Sequence, residues 1–202
     1  MLNDYYIQSV LGRYEKPEKN CYHNRYHVIN MLQAAALRGW DGPILKLAIL
    51  YHDIVYVPGS QDNETLSAVE AAHDMMMQGW GDNDISAVKQ LIWSTVPFCG
   101  LVVAGHEEET VALHDLDWMG FAYPFTAIRN GNLIFNEFVS HGKDPLEVRR
   151  GQLRFYRQLK ERITKAPLFM HKEFRNLNSG VPLALDAVIE DTEEALSELA
   201  SY

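Results

Sequence analysis

Between Ile44 and Val55 the chain is apolar at every position except Lys46, His52 and Asp53. A stretch this apolar on nearly every side predicts a helix inside a core. Pro43, after Asp41-Gly42, suits its first turn, and Pro58-Gly59-Ser60 marks the break after it. On both sides apolar residues recur at helical spacing. Residues 1–14 read as a short helix with Leu2, Tyr5, Tyr6, Ser9 and Val10 on one side. Val28 to Arg38 follows, with Val28, Met31, Leu32, Ala35 and Ala36 on the periodic face and Gly39 at its end. Past the break, Asp62 or Asn63 caps a helix that stops at Gly79 and carries Leu66, Val69, Ala72, His73 and Met76 along one face. Asp82 caps the next, with Ile85, Val88, Leu91 and Ile92 inward. Pro97 to Gly105 interrupts the pattern, and a helix from Glu107 leads into His114-Asp115-Leu116-Asp117. Further helices are predicted over 123–140, 145–163, 168–176 and 182–199. No alternating strand, repeat or domain boundary stands out, so the expected fold is all-α, one helical bundle domain over residues 1–202.

Composition narrows the classes without choosing among them. Hydrophobic residues make up 47% and charged residues 22% of the 202, as in a soluble globular protein. The net charge of −9 gives no general attraction to nucleic acid or to an anionic membrane. No apolar run is long enough to span a bilayer, and no basic start precedes an apolar stretch, so neither a membrane segment nor a signal peptide is expected. Cys21 and Cys99 form no CxxC pair, which argues against a thiolate zinc site and fits a reducing, cytoplasmic setting.

The chemistry sits where the apolar pattern is broken. An imidazole and a carboxylate at the end of a core helix must be paired, hydrogen-bonded or bound to a cation. Adjacent helical residues point about 100° apart, so His52 and Asp53 converge on one ion only through side-chain reach. His23 and His27, four apart, share a helical face if their helix begins early enough. Asp115 and Asp117 flank Leu116, and either is a ligand candidate. Each pair alone has an ordinary explanation as a cap, a core histidine or a solvated helix end. Together, His27, His52, Asp53 and Asp117 form a mixed nitrogen and oxygen donor set on three segments. Such a set suits a divalent ion (Mn, Mg, Fe, Zn, Co or Ni) with positions left for water.

The order His … His-Asp … Asp resembles the signature of the HD-domain metal-dependent phosphohydrolases, an all-helical superfamily. Tyr22-His23-Asn24-x-x-His27 is similar to the corresponding motif of the class I cyclic nucleotide phosphodiesterases. The closer resemblance is to a bacterial branch of predicted HD-superfamily phosphohydrolases of similar length. It extends over Leu47 to Val57, Asn63-Glu64 with Ser67-Ala68, Leu91-Ile92-x-x-Thr95, Asp115-x-Asp117 and Glu173-Phe174-x-x-Leu177. The resemblance implies that His27, His52 and Asp53 are metal ligands, with Asp117 the choice for the fourth and Asp115 its alternative. It places His23 on the histidine that protonates the leaving oxygen. Related sequences often carry a histidine three residues after the Thr95 position, where this chain has Phe98. That departure favours a single tightly held metal.

The implied activity is hydrolysis of a phosphoester in a small phosphorylated molecule, with nucleotides the leading class, by metal-activated water and with His23 as general acid. Glu64 is the candidate base or water-positioning group, although the helix dipole alone favours an acid in a first turn. Arg25 is a candidate phosphate contact, which a solvated arginine explains equally well. Arg150, Arg154 and Arg157 form a stripe better read as a solvated face paired with nearby acids. His73 reads as a core or pocket residue. The alternative function is a non-catalytic, metal-containing nucleotide or ligand sensor on the same fold.

Overall fold

The computed structural model describes residues 2–14 and 21–201, and among these the chain is all-helical with no strand. In order, the helices are α1 (Asp4–Gly12), α2 (Arg25–Ala36), α3 (Pro43–Tyr51), α4 (Asn63–Met77), α5 (Asp82–Ser94), α6 (Glu107–Asp117), α7 (Pro124–Ser140), α8 (Pro145–Ile163) and α9 (Val181–Leu199). Short 3₁₀ turns lie at Trp118–Ala122 and Arg175–Ser179. The expected all-α architecture is what the chain adopts. Its helices gather into two compact units, one holding α1 to α6 and the other α7 to α9 with both 3₁₀ turns.

In the first unit α3 is the axis. It contacts α1, α2, α4, α5 and α6, and Leu45, Leu47, Ala48, Ile49, Leu50 and Tyr51 are all buried. Pro43 occupies its first turn as anticipated. Its end differs from expectation: α3 stops at Tyr51, with His52 as C-cap, rather than running to Pro58. Helix ends leave carbonyls without intrahelical partners, and in a core each must find one. Here Ala48 accepts from the His52 N–H (2.9 Å), Ile49 from the His52 ring (2.9 Å), Leu50 from the Tyr14 hydroxyl (2.9 Å) and Tyr51 from the Ile54 N–H (3.1 Å). With each of these carbonyls given a partner, the helix ends without a glycine or proline at the stop.

α4 buries the face opposite to the one its hydrophobicity suggests. Asn63, Ser67, Ala68, Ala71 and Met75 are buried, whereas Leu66, Val69, His73 and Met76 are exposed. The reading of His73 as a core or pocket residue is therefore corrected. Ser67, Ala68 and Ala71 have little side chain and let α4 lie close against α3 and α5, which it contacts. α5 buries Ile85, Val88, Leu91 and Ile92 as expected.

In the second unit α9 packs against both α7 and α8. Gly131 on α7 leaves room for Tyr156: a Cβ there would stand 2.7 Å from the Tyr156 hydroxyl. Residues 168–174 do not form the predicted helix. Asn178 accepts from the Phe169 N–H (2.9 Å) and donates to the Phe169 carbonyl (2.8 Å), so a side chain replaces the helical ladder. Phe169 and Phe174 stack in the core with centroids 6.0 Å apart. The arginine stripe is exposed, with Arg150 paired to Glu147 and Arg157 to Glu193, both at 2.7 Å. No helix among the described residues is long and apolar enough to cross a membrane.

Candidate metal centre

The candidate ligands lie in the first unit and arrive from three places: the first turn of α2, the end of α3 and the last residue of α6. α2 begins three residues earlier than its periodicity suggests because Asn24 caps it. The Asn24 side chain accepts from the N–H groups of Tyr26 (2.8 Å) and His27 (3.3 Å). His27 is thus fixed in the first turn, where it projects over the end of α3. His23 falls before the cap, so it does not share a helical face with His27.

His27, His52 and Asp53 each offer a ligand atom within 4.8 Å of the other two, and Asp117 adjoins the two imidazoles. His27 Nε2 is 3.2 Å from His52 Nε2 and 3.1 Å from Asp117 Oδ1. His52 Nε2 is 3.0 Å from Asp53 Oδ2 and 3.8 Å from Asp117 Oδ1, and Asp53 Oδ2 is 3.9 Å from His27 Nε2. One carboxylate therefore sits beside each imidazole. Donors bound at about 2.1 Å to one ion lie about 3.0 Å apart at right angles and about 3.4 Å apart at tetrahedral angles. The observed separations bracket these values. The site is sheltered: the side chains of His52, His27, Asp53 and Asp117 are 1%, 8%, 14% and 21% exposed.

The helix end also sets the chemistry of His52. Its Nδ1 faces the Ile49 carbonyl, which can only accept, so Nδ1 carries hydrogen and the neutral ring offers its Nε2 lone pair to the cluster. A lone pair and two carboxylates pointed at one another need a cation among them. Without a metal that cation is a proton. Burial pulls the His52 imidazolium down, but the Asp53 charge and hydrogen bond, the Asp117 charge and the Ile49 carbonyl outweigh it and hold the ring at about 9. Burial pushes Asp53 up, yet His52, His23 and His27 more than offset this and hold it well below the usual carboxylate range.

The ends of α6 resolve the two aspartates geometrically. Residues two apart on a helix point roughly 200° apart, so Asp117 faces the cluster while Asp115 does not. Asp115 is fully buried and takes a 2.9 Å contact from His114 Nδ1.

His23 stands beside the cluster, its ring centroid 6.5 Å from that of His27. Glu64 is in the first turn of α4. Burial raises its carboxyl, its own backbone N–H lowers it, and the Asp53 and Asp117 charges raise it further. Arg25 opens α2, with its guanidinium carbon 6.0 Å from the Tyr26 centroid.

Several residues that build the site do so through contacts that hydrophobic periodicity does not reveal. Tyr14 ties α1 to the end of α3. Asn63 and Ser67 clasp the segment after Asp53: Asn63 accepts from the Val57 N–H (2.9 Å) and donates to its carbonyl (3.1 Å), and Ser67 does the same for Val55 (3.1 and 3.2 Å). Tyr56, between them, stacks on His23. Comparison with known proteins finds no matching family model, curated protein or solved structure.

Proposed function

We propose that this chain is a metal-dependent phosphohydrolase of the HD type, acting on a small phosphorylated molecule, with nucleotides the leading class. The observation that carries the reading is the convergence of His27, His52 and Asp53 at coordination spacing, with Asp117 3.1 Å from His27 and a further histidine near the cluster. These four residues would hold a divalent ion (Mn, Mg, Fe, Zn, Co or Ni). When bound, such an ion supplies a Lewis acid for a phosphoryl oxygen and lowers the pKa of a coordinated water.

The protein's own groups account for the protons. As a water oxygen bonds to phosphorus and the bond to the departing oxygen breaks, His23 gives its proton to that oxygen. Glu64, whose carboxyl is raised by burial and by its acidic neighbours, takes the proton that the water sheds. The net change is addition of one water across the phosphoester. His27 and His52 serve as ligands through nitrogen lone pairs and are not proton donors.

The test is a panel of nucleotides and simple phosphoesters assayed with each divalent ion, with Asp53→Ala as the blank. Metal-dependent turnover that the blank lacks supports the reading, and a metal-loaded protein inert to the whole panel moves it to the sensor alternative. A His23→Ala variant is expected to bind metal like the wild type while turnover falls by about a hundredfold or more. Undiminished turnover in that variant removes His23 from the reaction.

A further inference from the structure

His23 precedes the α2 cap, so helical geometry alone does not set its ring, although His27 of α2 meets that ring edge-on. What stands against it is Tyr56: the two rings are stacked with centroids 3.5 Å apart and planes 19° from parallel. Tyr56 is itself held with unusual care. The backbone groups of its two neighbours, Val55 and Val57, are each bonded twice by side chains of α4, through Ser67 and Asn63. Asn63 and Ser67 are four apart on the buried face of α4, so they reach the segment side by side. A side-chain amide and a hydroxyl here do what a neighbouring strand would do, and both are buried. A stack supported in this way restricts an imidazole to one plane at little entropic cost, because a tyrosine ring has few rotatable bonds to freeze.

We propose that Tyr56, clasped by Asn63 and Ser67, is the positioning residue for the proton donor: its ring holds the His23 imidazole in the plane from which it protonates the departing oxygen. This rests on the phosphohydrolase reading above. Tyr56 exchanges no proton in this scheme; its ring face acts. Proton donation matters most when the departing oxygen is strongly basic and hardly at all when it leaves readily as an anion. A misplaced donor therefore has a different signature from a damaged site, which slows every substrate alike.

The experiment compares phenyl phosphate, a poor leaving group, with 4-nitrophenyl phosphate, a good one, and repeats both aryl groups as methyl phosphodiesters, using Mn²⁺-loaded protein. Tyr56→Leu is expected to lose about tenfold or more on the phenyl esters while staying within about twofold on the nitrophenyl esters. Tyr56→Phe, which keeps the ring, should match the wild type on both. Proton NMR of the metal-free protein supplies a readout independent of turnover: stacking places the His23 ring protons in the tyrosine ring current, and that shift should vanish in Tyr56→Leu and persist in Tyr56→Phe. Equal losses on both leaving groups, a Phe variant as impaired as the Leu variant, or an absent ring-current shift overturns the positioning role alone. A metal-loaded wild type inert to every ester overturns the reaction and this role with it.

Discussion

An Asp53→Ala variant is expected to lose divalent-ion binding and hydrolysis together. Removing a residue that merely supports a ligand costs about 10- to 100-fold in affinity, so losing a direct, sheltered ligand should exceed about a hundredfold. Asp53 is also the counter-charge of His52, 3.0 Å away. Without it the imidazole loses the strongest influence that keeps it charged, and the two facing nitrogens 3.2 Å apart lose their compensation. Asp53→Asn, which preserves shape and removes charge, should fail nearly as badly, which separates an electrostatic requirement from a steric one. Asp117→Ala should weaken binding strongly, whereas Asp115→Asn should leave affinity near wild type because Asp115 points away from the cluster. Isothermal titration with Mn²⁺ and with Zn²⁺ measures all four. An Asp115 variant that loses metal while Asp117→Ala retains it would reverse the ligand assignment.

The second large effect is on pH. In the metal-free protein His52 stands at about 9, and a ligand nitrogen must surrender its proton to bind. Below that value each bound ion displaces a proton from this ring, so apparent affinity falls about tenfold for each pH unit, or about a hundredfold between about pH 8.5 and about pH 6.5. The fold without metal has the opposite slope. A histidine raised from its ordinary 6.5 to about 9 stabilises the folded state fully below 6.5, and this contribution is lost as pH rises through 9. Chelator-treated protein should therefore melt at a lower temperature at pH 9 than at pH 6.5. Asp53→Ala should flatten that dependence, because it removes the main cause of the raised value. Metal affinity that does not change with pH would mean that His52 is not displaced by the ion.

The residues that read correctly from the sequence are those whose role leaves a periodic or compositional trace. The apolar run through Leu50 announced α3, and His52-Asp53 was conspicuous because it broke that run. α5, α8 and α9 have long amphipathic patterns and lie where periodicity puts them. What escaped was built from single, long-range hydrogen bonds. Tyr14 reaches Leu50 across 36 residues and helps end α3 at a place where no glycine or proline stands. Asn63 was legible as a cap candidate, and both Asn63 and Ser67 as positions similar to a family motif; that they clasp Val57 and Val55 depends on the path of an irregular segment, which has no period.

α4 misled for a related reason. Its buried face is Ser67, Ala68 and Ala71, residues chosen for closeness rather than hydrophobicity, so the larger Leu66, Val69 and Met76 on the outer face dominated the pattern. Residues 168–176 misled because Phe169 and Phe174 are core aromatics, while Asn178 takes the backbone groups that a helix would need. The site itself reverses one geometric objection. Side chains of adjacent helical residues diverge, which made His52-Asp53 an awkward ligand pair. The helix ends at Tyr51, and the turn that follows brings Asp53 Oδ2 to 3.0 Å from His52 Nε2.

The central claim is that one ion is held by ligands from α2, the end of α3 and the end of α6. It is tested most directly by anomalous scattering from crystals grown with Mn²⁺. The account predicts a strong peak about 2.0–2.3 Å from His27 Nε2, His52 Nε2 and a carboxylate oxygen of each of Asp53 and Asp117. A peak elsewhere, or none among these four side chains with the ion in excess, would contradict it.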